Sequence, residues 1–310
     1  MADLNRISPY LFSLCTTALV TGCGGGGGTK ANHTTQETPA AIQWTDRSTE
    51  HYFPAGVQYQ FANIDGADAH LVTVDLNQPH LQVEAVKAEQ AQAIFNYTFE
   101  PGVVVAINGG FFSGNSSYSA VINQGEVLAR NITALNRNGQ SYPVIRSALT
   151  LDSDNQASIE WLYHFELNAN GGYAFDAPLA YTGSNSAALA APEKANGTPI
   201  APNMAIGGGP TLIKNGAEKL TYNEEIFWGS GVELNDQRPR TAVCVTDQNH
   251  LRLLVISRYA LQDLPALLLD LDCTDAMNLD GGGSSAMAFN DQAIYDQGRA
   301  VPSALVIKEL

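Results

Sequence analysis

The residues able to do chemistry in this chain concentrate between Asn278 and Met287, in the run NLDGGGSSAM. Read at the two-residue period of a strand, Ala276 to Asp280 sets Met277 and Leu279 on one face and Asn278 and Asp280 on the other. The apolar pair can then be buried while an amide and a carboxylate look outward. Gly281, Gly282 and Gly283 end the strand, and without Cβ atoms they can turn into positive φ and let a bound group approach the backbone closely. Ser284 and Ser285 add two hydroxyls beside a row of backbone N–H groups, a usual concavity for an anion. Together these groups suit a polar, phosphorylated ligand. The same run also reads as a tight turn satisfied by its own Ser and Asp side chains.

Other stretches repeat this logic. Val103 to Asn108 is a continuous apolar run, predicted to be a strand buried on both faces, and it stops at Asn108-Gly109-Gly110-Phe111-Phe112. A polar residue and glycines at the end of a buried strand place the polar group at the rim of a sheet. Gly207-Gly208-Gly209-Pro210 precedes a hairpin through Asn215-Gly216, and a second hairpin pairs Ala120 to Ile122 with Glu126 to Ala129. Arg238-Pro239-Arg240 leads into a strand over Thr241 to Thr246 that returns over Leu251 to Ser257.

The elements that must carry these residues are mostly short strands. Val57 to Phe61 pairs with His70 to Asp75 around Gly66, Leu81 to Ala85 follows, and Ala88 to Phe95 reads as a short helix. Leu261, Leu264, Leu268 and Leu271 recur at helical spacing, with Pro265 tolerable only in the first turn and Asp272 where a helix C-terminus would normally want Gly. Asn168 to Asn203 reads as long surface loops. The fold expected is α+β, a strand-rich mixed sheet with few helices in a single catalytic domain over residues 44–310.

Hydrophobic residues at 45% and charged residues at 15% suit a globular chain, and a net charge of -15 argues against nucleic acid or an anionic lipid surface as partner. Residues 1–22 read as an export signal, with Leu11 to Val20 as its apolar segment. Val20-Thr21-Gly22-Cys23 resembles the bacterial lipobox, which implies cleavage before Cys23 and lipidation of that thiol; a plain signal peptide cut nearby and an anchor left uncleaved are the other readings of this segment. Residues 23–43, opening on Gly24 to Gly28, read as a flexible tether. The expected place is therefore outside the cytoplasm on a membrane anchor, periplasmic or at the cell surface. Gly24, standing where an Asp is associated with inner-membrane retention, points to the outer membrane. Cys244 and Cys273 remain in the mature chain, and a disulfide and burial as two small apolar residues are both open. No Asp, Glu, His or Cys cluster has the spacing of a calcium or zinc site, so no cofactor is implied and a metal is neither implied nor excluded.

Five segments, in order, resemble the phosphodiester glycosidase domain: AINGGFF (106–112), AIGGGPTLIKNG (205–216), RPRTAV (238–243), DAMNLDGGGSSAM (275–287) and RAVPSALVI (299–307). Asp272 is a departure, standing where that family commonly has Gly. The resemblance implies hydrolysis of the bond between a sugar's anomeric carbon and a phosphodiester oxygen, in envelope or extracellular glycans. On this reading Asp280 activates water or stabilises an oxocarbenium-like centre, and Arg240 grips the phosphate bidentately. Asn108 and Asn278 orient hydroxyls or water. Gly281, Gly282, Gly283, Ser284 and Ser285 complete the cradle, with Gly109, Gly110, Gly208 and Gly209 beside it. Alternatives stand next to these roles: Arg240 as an ion-pair partner of Asp280, Asn108 as the cap of a turn, the whole pocket as a glycan-binding site without turnover, and a metal-dependent phosphodiesterase that cuts the P–O bond.

Overall fold

Strands dominate because apolar residues recur at alternate positions between short turns, and every strand pairing among the described residues is antiparallel. The computed structural model describes residues 41–166, 172–290 and 292–310. The signal segment, Cys23 and all but the last residues of the tether lie outside them, as do 167–171 of the expected loop. Ile42–Leu310 forms one compact unit.

Three sheets carry the fold. The largest has eight strands, with Ala67–Asp75, His250–Tyr259, Arg238–Thr246, Cys273–Asn278 and Thr211–Lys214 adjacent in that order. A seven-stranded sheet centres on Ala157–Tyr163, Arg146–Leu151, Met204–Gly207 and Val121–Asn123. A five-stranded sheet runs Gln292–Asp296, Ala286–Phe289, Val103–Asn108, Val301–Glu309 and Leu81–Gln92. The expected single mixed sheet is thus replaced by several antiparallel ones. Hairpin connections, which need only short turns, explain why so few helices are required.

Period two sorts the core. Val72, Val74, Leu253 and Val255 of the first sheet meet Leu149, Leu151 and Ile206 of the second and Val105, Ile107, Leu305 and Ile307 of the third in one shared interior. The outer faces are covered as well. Ala69, Leu71, Leu254 and Ile256 pack with Leu264, Leu267, Leu268 and Leu271, and Ala106, Ala304 and Val306 pack under Ile94 and Tyr97. This is why Val103–Asn108 reads as an unbroken apolar run, with all six residues buried.

Two expected helices change. Ala88 to Gln92 continues the strand Leu81–Gln92 because Val301–Glu309 pairs along it as far as Val301 opposite Gln92, and a 3-10 helix follows at Ile94–Phe99. Tertiary pairing outweighs the helical preference of alanine there. The leucine-rich segment divides into a 3-10 turn, Leu261–Asp263, and a six-residue α-helix, Leu264–Leu269, with Pro265 in its first turn. Asp272 takes φ 56°, the left-handed conformation that glycine would adopt more easily. In the expected loop region, Gly172–Phe175 and Thr198–Ile200 add two edge strands to the seven-stranded sheet.

Cys244 and Cys273 form a disulfide between neighbouring strands, 29 residues apart in sequence. Closing a loop of that size stabilises the fold by about 3–4 kcal/mol in the chain-entropy account. Of the two readings open from sequence, the bridge holds.

Candidate active site

Each of the three glycine-rich breaks is a place where the chain leaves one sheet for another. At 108–110 it leaves the five-stranded sheet, at 207–210 it passes from the seven-stranded to the eight-stranded sheet, and at 278–285 it returns to the five-stranded one. The crossings touch. Gly209 N–H donates to the Asn278 carbonyl at 2.7 Å, Asn278 N–H to the Pro210 carbonyl at 3.0 Å, and Asp280 N–H to the Gly109 carbonyl at 3.3 Å. A Cβ on Gly110 would collide with the Gly207 carbonyl oxygen, and one on Gly208 with the Asn278 carbonyl oxygen. Most of these glycines are therefore explained by chain meeting chain.

A cleft of about 380 Å³ opens where the crossings meet, lined by Asp280, Gly281, Gly282, Gly283, Asn278, Arg238, Arg240 and Arg299. Phe111, Phe112, Ser230 and Val232 form its shared wall with a second lobe of about 370 Å³. Asp280 is half-buried, and burial pushes its carboxyl up to about 6, against the opposing pull of the Ser284 hydroxyl, the Gly281 amide and the Arg299 charge. Arg299 donates to Ser284 Oγ at 3.2 Å, which ties the cation to the same small network. A carboxylate adjusted to near neutrality inside a cleft is suited to general-base work.

The turn itself is partly self-satisfied. Gly281 N–H donates to Asp280 Oδ1 at 3.0 Å, and Ser284 and Ser285 N–H donate to the carbonyls of Gly281 and Gly282 at 3.2 Å. Gly282 turns at φ 60°. Among the described residues no acceptor takes up the amides of Gly282 and Gly283, so the expected cradle is reduced to those two donors. Ser284 and Ser285 are buried; Ser284 acts on Asp280, and the Ser285 hydroxyl has no partner.

Arg240 is placed differently from the expected grip on a ligand. The side chain is buried, and its Nε donates to the Tyr259 carbonyl at 3.0 Å while Nη2 serves the carbonyls of Glu233 and Asp236 and the Asp236 carboxylate. Its ion-pair partner is Asp236, not Asp280. These bonds occupy Nε and Nη2 and make Arg240 a clamp for the 233–236 segment, while the side chain still lines the cleft. Asn108 is also occupied: Nδ2 donates to the carbonyls of Gly109 and Asp280 at 3.0 and 2.8 Å, and Oδ1 accepts from Thr241 Oγ1 and Ala286 N–H at 2.8 and 3.0 Å. It positions the turn and has no polar atom left for a sugar hydroxyl. Asn278 lines the cleft, with Nδ2 donating to the carbonyls of Gly209 and Leu279 and Oδ1 buried without a partner. Gly109, Gly110 and Gly209 are packing positions behind the cleft, whereas Gly208 lines the second lobe.

Sequence reasoning passed over Arg238 and Arg299, although both lie inside the quoted segments. Arg238 shares a strand face with Arg240 at period two, which was the available signal. It is tied to Asp236 and donates to the Gly231 carbonyl at 3.1 Å. Glu225, a fully buried carboxylate accepting from Ser147, Thr211 and Thr221, carried no motif.

The fold and the cleft define an antiparallel multi-sheet protein with one tuned carboxylate among arginines. The chain belongs to the phosphodiester glycosidase family, whose model matches residues 101–308. Among solved structures it is similar to a hypothetical protein from Synechocystis, at 18% identity over 87% of this chain and 68% of that one, with a TM-score of 0.56. It is also similar to the zebrafish N-acetylglucosamine-1-phosphodiester α-N-acetylglucosaminidase catalytic domain auto-inhibited by its pro-peptide. There the identity is 17% over 87% of this chain and 82% of that one, with a TM-score of 0.55. At those identities the likeness is one of fold. Among curated proteins no match is found.

Proposed function

We propose that the chain hydrolyses sugar-1-phosphodiesters at the glycosidic bond, with Asp280 as the reacting carboxylate. The observation that carries this reading is the Asp280 carboxyl, raised to about 6 in a cleft lined by arginines and a glycine turn. Ionised Asp280 takes a proton from water, the resulting hydroxide attacks the anomeric carbon, and the bond from that carbon to the phosphodiester oxygen breaks. The electron pair leaves with the phosphate, giving a free sugar and a phosphomonoester. That leaving group is already a stable anion, so the chemistry needs a cation to hold it more than a second carboxylic acid to protonate it. Among the residues lining the cleft, Asp280 is the one carboxylate, which fits this economy. The family, and the phosphodiester activity in the name of the zebrafish relative, support the same bond.

The test is incubation with a synthetic α-N-acetylglucosaminyl phosphodiester. Free sugar and a phosphomonoester in equal amounts are expected. Sugar 1-phosphate would move the cut to the P–O bond and overturn the reading, and saturable binding with no product would make the protein a glycan-phosphate binding lipoprotein.

The proposal extends to place, on the strength of Val20 to Cys23 and the glycine run after it. The chain acts from a lipid anchor on envelope or extracellular glycans. Cys23→Ser is expected to move the protein from the membrane fraction to the soluble exported fraction; a variant that stays with the membrane would rule out lipidation at Cys23.

A further inference from the structure

An anion needs a cation that the protein has not already used. Around the two lobes, Arg240 and Arg238 are tied to Asp236 and backbone carbonyls. Arg137 donates to the carbonyls of Trp228, Asn136 and Ile226. Arg299 is exposed, where water competes for every contact. Arg146 differs from all of these. It opens the strand Arg146–Leu151, is 6% exposed, and lines the second lobe. Its Nε is buried without a hydrogen-bond partner, and among the described residues no acceptor takes a hydrogen bond from its guanidinium.

The surroundings hold the charge in place without using its donors. The guanidinium carbon lies 4.0 Å from the centre of the Phe227 ring and 6.0 Å from that of Phe111, a stacked arrangement that leaves the planar fork free at its edge. Glu225 supplies the countercharge that opposes the effect of burial, but its own oxygens are taken by Ser147, Thr211 and Thr221. A buried guanidinium with no acceptor is costly to maintain unless something accepts from it. The remaining walls include Tyr118, Ile132 and Leu135, so among the described residues the lobe offers one free cation beside apolar surfaces. Gly208 lies in this lobe and packs on the Asn278 carbonyl of the other, and Phe111, Phe112, Ser230 and Val232 line both. The two lobes thus adjoin along a shared wall.

We propose that Arg146 binds the phosphoryl oxygens of the substrate and that the apolar walls beside it take the aglycone, while the sugar occupies the Asp280 lobe. This assignment rests on the hydrolase reading for the name of the substrate, but not for the existence of the anion site. It gives Arg146 the role that sequence reasoning gave to Arg240, and it states a substrate class: diesters whose leaving phosphomonoester carries an apolar group.

Binding of phenyl phosphate and of inorganic phosphate, followed by calorimetry on the whole protein, tests it without turnover. Wild type is expected to bind phenyl phosphate at least ~10-fold more tightly than inorganic phosphate, because the ring is buried against apolar walls. Arg146→Met is expected to weaken phenyl phosphate binding by at least ~30-fold, and Arg146→Lys, which keeps charge but not the fork, by about ten-fold. Should Arg146→Met fail to fold beside Glu225, Arg146→Lys carries the test, with thermal melting as the check on integrity. Equal binding by wild type and both variants, no binding by wild type, or a loss that follows Arg299→Met and spares Arg146 would overturn the proposal. Equal affinities for the two phosphates would remove the apolar group from it. A protein that binds phenyl phosphate through Arg146 yet releases no sugar keeps this site and loses the hydrolase reading.

Discussion

Asp280→Asn is expected to abolish sugar release, by about a thousand-fold or more in kcat, and at the same time to raise the melting temperature at pH 7–8. The first effect follows from removing the base that activates water, since Asn holds the same shape and keeps an acceptor for the Gly281 amide but has no pair to take a proton. The second follows from linkage. Burial raises the folded-state carboxyl to about 6 from an ordinary value of 3.8, so between those pH values the folded chain binds the proton more tightly than the unfolded chain does. Stability from this group is therefore greatest below about pH 4, falls as pH rises through 6, and is flat above. The shift corresponds to an order of 2 kcal/mol for a partly solvated group, or about 4–8 °C in Tm for a domain of this size. Melting curves of both forms at pH 4 and pH 8 check it. A gain at pH 8 that vanishes at pH 4 is expected; equal melting at both pH values would mean that Asp280 is not desolvated.

The same group sets the rate profile. The wild-type kcat/KM is expected to rise tenfold per pH unit below 6 and level off above about 7, because only the ionised carboxylate works as a base. Ser284→Ala removes one of the interactions that hold the value down and should move the rising limb toward higher pH.

The strands were legible wherever burial follows a simple period. Val103–Asn108, Arg238–Thr246 and the hairpin at Asn215-Gly216 could be read because apolar runs and turn residues act locally. The division into separate antiparallel sheets was not, because the sequence does not say where the chain changes sheet, as it does after Asp75 and at 110, 207 and 280. The same gap misdirected the glycines. A missing Cβ looks alike whether it admits a ligand or a neighbouring strand, and at Gly109, Gly110 and Gly209 it admits protein. The partners of Arg240 were not legible for a related reason, since Tyr259, Glu233 and Asp236 offer carbonyls and a carboxylate on loops and strand ends that carry no motif. Asp280 could be placed facing the cleft because period two turns it away from the buried Leu279 at the strand end.

Asn108→Ala is expected to lower stability by about 3–5 kcal/mol, with the melting point falling roughly 10 °C and activity falling with it. One side chain joins four places: the carbonyls of Gly109 and Asp280, the hydroxyl of Thr241 and the N–H of Ala286. Asn108, Thr241 and Ala286 are all buried, so water cannot replace what the truncation removes, and the costs of the orphaned groups add incompletely because they share one network. The effect reaches the site because the Asp280 carbonyl is one of the four, so the carboxylate turn loses its tether to the 108–110 crossing. Asn108→Asp distinguishes loss of bonding from loss of volume. It keeps the shape but turns an oxygen toward two carbonyl oxygens, and should destabilise at least as much as Ala. Thermal unfolding and sugar release measured on the same preparations decide the role. Parallel losses assign Asn108 to holding the sheet crossings together, whereas lost activity with an unchanged melting point would return it to the substrate-contacting role expected from sequence.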